Sequence, residues 1–102
     1  MSSPSKPLGT SFEILATGGA NETAILTVFF TNSTLASSTL DVCVVASAGS
    51  PSDSNTIIKQ LVIPAEDTYT LSDKIMLGVG QTLQAKSSVA NAITVVTSKM
   101  DL

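Results

Sequence analysis

Apolar and polar residues alternate along much of the chain with a period of two, which is typical of β-strands. The segment TLDVCVVAS, over residues 39–47, shows this alternation most clearly. No stretch keeps a helical period of 3.6 residues for long, so the pattern predicts strands throughout. One face of the predicted strand over residues 39–47 carries Leu40, Val42, Val44 and Ala46, and the other carries Asp41 and Cys43.

Turn-forming residues divide the chain into seven or eight short strands. Pro, Gly, Asn and Ser cluster between the apolar segments, most strongly in the loop over residues 48–55. Many short strands at such spacing indicate a sandwich or a small barrel. We therefore predict an all-β fold, a single-domain antiparallel β-sandwich of jelly-roll-like type. The predicted strands cover residues 12–17, 22–32, 39–47, 56–63, 67–71, 72–77, 81–88 and 92–100.

The first eleven residues differ from the rest of the chain. They contain Pro4, Pro7, a glycine and several serines, a composition that resists regular structure. We predict a flexible N-terminal arm over residues 1–11 and a β-sandwich domain over residues 12–102. The alternative is an extended arm that becomes ordered on a neighbouring molecule.

The segment VIPAEDTYTLSDKIMLGVGQTLQA, over residues 62–85, is regular but contains no His, Cys or Arg. Pro64 lacks an N–H to donate to a sheet, so it is expected at the end of a strand. Gly78 and Gly80 are expected to supply positive φ angles for a tight reversal. We interpret this segment as a hairpin-type corner of the sandwich, so its regular spacing reflects the fold rather than a chemical site.

Composition and charge restrict the classes of partner. Hydrophobic residues make up 43% of the chain and charged residues 13%, while Ser and Thr together account for 28 of the 102 residues. The net charge is −3, and the lysines are spread singly along the chain, so the basic stripe that nucleic-acid binding requires is missing. The N-terminus lacks the apolar core of a signal peptide, and no apolar run spans a bilayer. We expect a cytoplasmically made protein that binds neither nucleic acid nor membrane.

Candidate catalytic and metal-binding groups are few. The chain has no His to activate a nucleophile, and Cys43, in an alternating strand, is interpreted as a small packed residue. Glu66 and Asp67 in a turn, with Asp73 after them, are interpreted as solvated acids. The loop around Asp53 lacks the spaced acids of an EF-hand. We predict that the protein is not an enzyme and holds no metal or cofactor.

Three further features have both a structural and a functional interpretation. Lys59 is expected to protect a strand edge or line a solvated face rather than act as a catalytic lysine. The sequons at Asn21 and Asn32 are discounted because Ser and Thr are so frequent. Phe29 and Phe30 are adjacent in a strand, so their side chains point to opposite faces. One Phe is expected in the core, and the other is covered either within the domain or by a second subunit.

From Phe12 onward, the chain resembles small β-sandwich structural proteins of tailed-bacteriophage particles. In that group a PA-x-x-T turn precedes a strand, K-I-x-L and G-x-x-L-x-A segments follow, and an S-x-A-N turn leads to the last strand. AILTVFFTNST is similar to the first core strand of the group, whereas its usual Tyr-x-Val-Pro-Ala opening is replaced here by GTSFEILATGGANETAIL. The matching elements are Pro64-Ala65 with Thr68, Lys74-Ile75-Leu77, Gly80-Leu83-Ala85 and Ser88-Ala90-Asn91.

The resemblance implies a non-enzymatic virion structural protein on the capsid surface, most concretely a cement (decoration) protein that staples the outer surface of the head. Its implied partners are the major capsid protein and copies of itself, with a trimer favoured. The alternatives are a tail, baseplate or head–tail connector component and, in a different class, a carbohydrate- or surface-binding β module. The candidate subunit or capsid contacts are Pro4, Pro7, Leu8, Phe29, Phe30, Pro64 and Tyr69.

Overall fold

The computed structural model describes residues 5–72 and 75–101. Within these residues the chain forms nine β-strands and one 3₁₀ turn, at Asp53–Asn55. Seven of the strands coincide, to within two residues at each end, with predicted ones, and the bounds of β5 agree fully. β7 ends where the strand predicted over residues 72–77 ends, but it begins at Ile75, and residues 73 and 74 lie outside the described residues. The strands are β1 (Ser5–Pro7), β2 (Glu13–Thr17), β3 (Thr23–Asn32), β4 (Ser38–Val45), β5 (Thr56–Ile63), β6 (Thr68–Leu71), β7 (Ile75–Leu77), β8 (Thr82–Ser87) and β9 (Ile93–Asp101).

The strands form two antiparallel sheets. The five-stranded sheet has the order β1-β9-β3-β6, with β7 also paired to β3, and the four-stranded sheet has the order β2-β8-β4-β5. Because β6 and β7 pair with successive stretches of β3, they act as one interrupted edge strand. The first strand thus pairs with the last, the second with the last but one, and so on inwards to the β4–β5 pair. This is the winding of a jelly roll, and it confirms the predicted fold class.

The core lies between the two sheets and is formed by the inward positions of the alternating strands. Phe30 is fully buried, and its ring stacks on that of half-buried Tyr69, with 6.4 Å between the ring centroids. Full burial of a Val, Leu, Ile or Phe side chain stabilises a fold by roughly 1.5–3 kcal/mol. The buried cluster comprises Leu8, Ala16, Ile25, Val28, Phe30, Leu40, Val42, Ile63, Leu71, Leu77, Leu83, Ala85, Ile93 and Val95.

The structure corrects the predicted arm over its described part. Residues 5–7 form β1, which pairs with β9 at the edge of the five-stranded sheet. Leu8 is fully buried, and its N–H donates to the carbonyl of Ile93 at 2.8 Å. Among the described residues, the sandwich therefore begins at Ser5 rather than at Phe12. The partner strand β9 supplies hydrogen bonds and cover that the local composition of residues 5–8 does not reveal.

The structure also corrects the predicted extent of β4, which ends at Val45 rather than at residue 47. Leu40 and Val42 are buried in the core as predicted, but Ala46 is exposed and lies beyond the end of the strand. Cys43 and Val45, on the opposite face of β4, are 0% and 1% exposed. These two residues are covered from outside the sandwich, as described below.

Two glycines fix the end of the sandwich where the β2–β3 and β7–β8 connections meet. A Cβ atom added to Gly18 would lie 1.9 Å from the carbonyl oxygen of Gly78, so only glycine fits there. Gly80 has φ +79°, as the sequence predicted, and its N–H donates to the carbonyl of Gly18 at 3.2 Å. Gly78 is not among the residues with positive φ, which corrects that part of the prediction.

Candidate functional site

The outer face of the five-stranded sheet consists of rows of side chains set by strand register. Thr94, Thr31 and Thr68 form one row, and the hydroxyls of Thr31 and Thr68 lie 3.1 Å apart. The other rows are Val96–Phe29–Thr70, Ser98–Thr27 and Met100–Ala24–Met76. None of the residues in these four rows is charged. We call this surface the uncharged face.

Three large apolar side chains of the uncharged face remain open to solvent. Phe29 is 42% exposed, Met76 42% and Met100 45%. Leu26, at the register shift between Ile25 and Thr27, is half-buried. Apolar area that stays in contact with water loses the free energy that burial would give, so this face is suited to being covered by another molecule.

The outer face of the four-stranded sheet has a different character. It carries a groove of about 360 Å³, within the range typical of ligand pockets. Lys59 and Lys86 both line it, and we call it the lysine groove. Its wall on the sheet side is formed by Phe12, Asp41, Thr56, Lys59, Gln60 and Lys86.

Asp41 and Lys86 organise the centre of the lysine groove. They are register partners on β4 and β8, and the Lys86 Nζ lies 3.8 Å from an Asp41 carboxylate oxygen. The same Nζ lies 4.9 Å from the centroid of the Phe12 ring, a cation–π distance. The other oxygen of Asp41 accepts a hydrogen bond from the backbone N–H of Gln60. These contacts hold Lys86 and Asp41 in defined positions.

The connection between β4 and β5 closes one side of the groove and covers part of the same face. Pro51 and Ser52 of this connection line the groove. A Cβ atom on Gly49 would lie 3.4 Å from Val45 Cγ1, which shows how closely the connection packs over Val45. The Cys43 Sγ lies 3.4 Å from the hydroxyl of Thr56. Cys43 is therefore a small packed residue, as predicted.

The predicted contact residues lie in different parts of the fold. Phe29 points outward and Phe30 inward, which confirms the prediction that the pair would divide between two faces. Pro7 and Pro64 are exposed, and Pro64 follows the last residue of β5 as expected. Leu8 and Phe30 are fully buried in the core, and Tyr69 is half-buried against it. Pro4 lies outside the described residues.

The candidate acids do not come together in one site. Glu66 and Asp67 are exposed in the turn after β5, whereas Asp73 lies outside the described residues, as does Lys74. Over residues 5–72 and 75–101, no group of three His, Cys, Asp or Glu side chains is placed to hold a metal ion. The described part of the chain also contains no helix long and apolar enough to cross a membrane.

Two features of the site were missed at the level of sequence. Asn32, which appears there only as part of a sequon, is fully buried and donates to the carbonyls of Ala36 and Ile63 at 2.9 and 3.0 Å. The lysine groove was missed because its residues come from separate strands. Asp41 and Lys86 are 45 positions apart and meet only through the β4–β8 register. The period-two pattern did place Asp41 away from the core.

Comparisons of the chain with protein-family models, with curated proteins and with solved structures gave no match.

Proposed function

We propose that the protein is a non-enzymatic structural component of a tailed-phage virion, most concretely a cement protein that packs on the outer surface of the head. The observation that supports this proposal is the uncharged face of the five-stranded sheet, with Phe29, Met76 and Met100 exposed on it. The cores of protein–protein interfaces are depleted in charge and enriched in aromatic residues and Met. Covering these four rows therefore requires no desolvation of charged side chains.

The sheet edges favour association through faces rather than through strand addition. Within the described residues, β1 has only three residues and ends in Pro7, and on the opposite edge Ser72, which follows β6, lies outside the strands. In the four-stranded sheet, both edge strands, β2 and β5, contain register shifts. Short, interrupted and bulged edges are the means by which natural sheets resist edge-to-edge pairing.

The size of the uncharged face fits a repeating lattice better than an isolated pair. The face is three strands wide, because β6 and β7 follow one another along β3, and from the spacing of strands and the rise per residue it presents roughly 400 Å². A standard stable interface buries about 800 Å² on each partner. Many copies that each bind modestly to a shell of major capsid protein gain strength through avidity. An ordered protein shell is therefore the partner that we propose for this face.

The first experiment is to count copies of the chain in purified virions by quantitative mass spectrometry against the major capsid protein. Hundreds of copies in simple ratio to the capsid protein would support the cement role. A few to a few dozen copies would indicate a tail, baseplate or connector component instead. Absence from virions would overturn the proposal.

The contact surface is tested by a matched pair of substitutions. Phe29→Lys places a charge on the uncharged face, and Ile14→Lys places the same charge on the outer face of the four-stranded sheet, where Ile14 is 51% exposed. We expect Phe29→Lys to weaken co-sedimentation with heads lacking the protein by about tenfold or more, because a desolvated charge costs more than 1.4 kcal/mol. Ile14→Lys should bind like the unaltered chain. Equal binding by both variants would show that the uncharged face is not the contact.

A further inference from the structure

Both methionines that the structure describes lie on the uncharged face. The chain has three methionines, of which Met76 and Met100 fall within the described residues. Met76 on β7 and Met100 on β9 are register partners of the same residue, Ala24 of β3, so the three side chains stand in one row across the sheet. The two methionines are 42% and 45% exposed, whereas Ala24 between them is 4% exposed. The accessible thioethers of the described residues are therefore gathered in one row of one surface.

The single thiol of the chain is protected from an oxidant in solution. Cys43 is fully buried in the other sheet, and its Sγ lies 3.4 Å from the hydroxyl of Thr56. A thiol reacts as the accessible thiolate, so a buried one reacts only when the fold opens locally. Among the described residues, Met76 and Met100 are therefore the sulfur atoms that an oxidant reaches first.

Oxidation would change the polarity of this row without adding a charge. The thioether sulfur takes one oxygen atom from hydrogen peroxide: an S–O bond forms, the O–O bond breaks, and the second oxygen leaves with both protons as water. The sulfur is oxidised by two electrons, and the peroxide is reduced by two. The product is methionine sulfoxide, which is polar. Sulfoxide reductases reverse the step: two thiols are oxidised to a disulfide, and the oxygen leaves as water.

A sulfoxide in this row opposes covering of the uncharged face. Ala24, which stands between the two methionines, has no side-chain hydrogen-bond donor, and β3 is paired on both sides at this point. A polar group that loses water without gaining a hydrogen bond disfavours association. An unmodified thioether is apolar and flexible, and it packs readily against an irregular partner surface. The two oxidation states of the same side chains are therefore expected to differ in affinity for a partner.

We propose that Met76 and Met100 form an oxidation-sensitive site that controls docking through the uncharged face. A peroxide converts the free chain to the sulfoxide form, which no longer docks, and a sulfoxide reductase restores docking. This inference rests on the proposed function, because it takes the uncharged face as the contact with the capsid shell. Once the face is covered, the thioethers are out of reach of the oxidant, so the modification acts on copies that are not yet bound.

The test uses the full chain, hydrogen peroxide and heads that lack the protein. The chain is oxidised under native conditions, the modified residues are identified by peptide mass, and binding is measured by co-sedimentation. We expect Met76 and Met100 to gain one oxygen each before Cys43 reacts. The oxidised chain should bind about tenfold or more weakly, because each covered sulfoxide loses its water. Treatment with the two methionine sulfoxide reductases, one for each epimer, should restore the affinity.

Leucine variants assign the effect to these two residues. Met76→Leu combined with Met100→Leu keeps apolar side chains in the row but removes both thioethers, while Met1 and Cys43 remain. This double variant should bind heads before and after peroxide treatment alike. Weaker binding of the treated double variant would assign the effect to another residue and overturn the proposal. Circular dichroism checks the fold, and unfolding of the oxidised chain would overturn the proposal too, because the two residues would then be structural.

Bound and free protein separate failure of this inference from failure of the proposed function. Met76 and Met100 should oxidise more slowly on heads than in the free chain. Equal rates would show that another face is the contact, which overturns the inference but leaves the cement role in place. If the unmodified chain binds and the sulfoxides do not weaken binding, the inference alone is wrong. If the unmodified chain does not bind heads at all, the proposed function is wrong and the inference with it.

Discussion

The two outer faces of the sandwich differ in regularity as well as in charge. On the five-stranded sheet, β3 and β9 keep register from Thr27 to Asn32, and the side chains stand in uncharged rows. On the four-stranded sheet, β5 is irregular, its connection to β4 folds back over the surface, and a groove with two lysines and an aspartate results. One face is regular and uncharged, and the other is concave and carries charged side chains.

This difference shows how a small jelly roll separates two kinds of surface without a second domain. Regular pairing produces a flat surface whose chemistry is decided by alternate residues, here mainly Thr with Phe29 and two methionines. Register shifts and a long connection make the surface uneven, and an uneven surface can contain a groove. The same sheet geometry that makes the first face suitable for packing makes it unsuitable for enclosing a small ligand.

The largest expected effect separates Phe30 from its neighbour Phe29. Phe30→Ala should lower the free energy of unfolding by about 3–5 kcal/mol, because it empties a fully buried site. Phe29→Ala should lower it by less than about 1 kcal/mol, because the side chain is 42% exposed. Urea unfolding followed by circular dichroism measures both.

A Phe30→Leu variant, which should cost about 1–2 kcal/mol, keeps the comparison usable if Phe30→Ala does not fold. The slope of free energy against urea should be the same in all folded variants. Similar losses at both positions would mean that Phe29 is needed for folding, and its exposure would then say little about a partner.

The next effect concerns the shared end of the two sheets. Gly18→Ala should destabilise the protein by about 2–3 kcal/mol, because the added methyl group meets the Gly78 carbonyl and the backbone must move. Gly19→Ala is the matched control, since a Cβ there has nothing within 4 Å, and it should change stability by no more than about 0.5 kcal/mol. Thermal melting measures both.

Gly18→Ala touches neither face, so it also sharpens the comparison between them. If it shifts the amide resonances of one outer face more than those of the other, the two faces are not independent parts of a rigid body. Equal stability of the Gly18 and Gly19 variants would show that the connections relax easily around the added methyl group.

Much of the fold was accessible from sequence because most strands carry their own signal. β5 was predicted with its full extent, since a breaker precedes Thr56 and Pro64 follows Ile63. β1 was missed because three residues with a proline carry no strand signal of their own. Its pairing with β9 joins residues about ninety positions apart, from Ser5 to Val96, and only the whole fold brings them together.

The surfaces were less accessible than the strands. Alternation placed Phe29 outside and Phe30 inside, and it placed Asp41 and Cys43 on one side of β4. It could not show that Val45 lies beneath Gly49 of the β4–β5 connection and that Cys43 is fully buried, while Asp41 lines a groove. Whether an outward side chain is buried depends on the path of the neighbouring loop. The alternation of apolar and polar residues does not predict that path.

A smaller effect tests whether the connection after β4 acts as a fixed cover. Val45→Ala should cost about 2 kcal/mol, because it removes two buried methyl groups beneath Gly49. Val96→Ala, on the uncharged face, should cost about 0.5 kcal/mol or less, because Val96 is half-buried and has no such cover. Urea unfolding gives both values.

The Cys43 thiol lies on the same face of β4 as Val45 and is in contact with Thr56, the first residue of β5. It is fully buried, so its reaction with a thiol reagent under native conditions requires a local opening. Val45→Ala should speed this reaction more than Val96→Ala does. Rapid labelling in the unaltered chain would show that this face of β4 opens often, and the contrast between a covered and an uncovered face would be lost.

The smallest expected effect concerns the charges of the lysine groove. Asp41→Asn removes the ion pair with Lys86 but keeps an oxygen that accepts the Gln60 N–H. Because both side chains are partly exposed, the loss of stability should be about 0.5 kcal/mol or less, and it should shrink further in high salt. Glu22→Gln removes the same charge from an exposed residue and serves as the control. Urea unfolding at low and high salt measures the difference.

A small loss at Asp41 would mean that the Asp41–Lys86 pair contributes little to folding. A loss of several kcal/mol, unchanged by salt, would instead mean that Asp41 holds the irregular stretch of β5 in place through Gln60. The Asp41 contacts would then stabilise the fold, as the buried hydrogen bonds of Asn32 do. Only the uncharged face would remain as a surface whose side chains are not explained by folding.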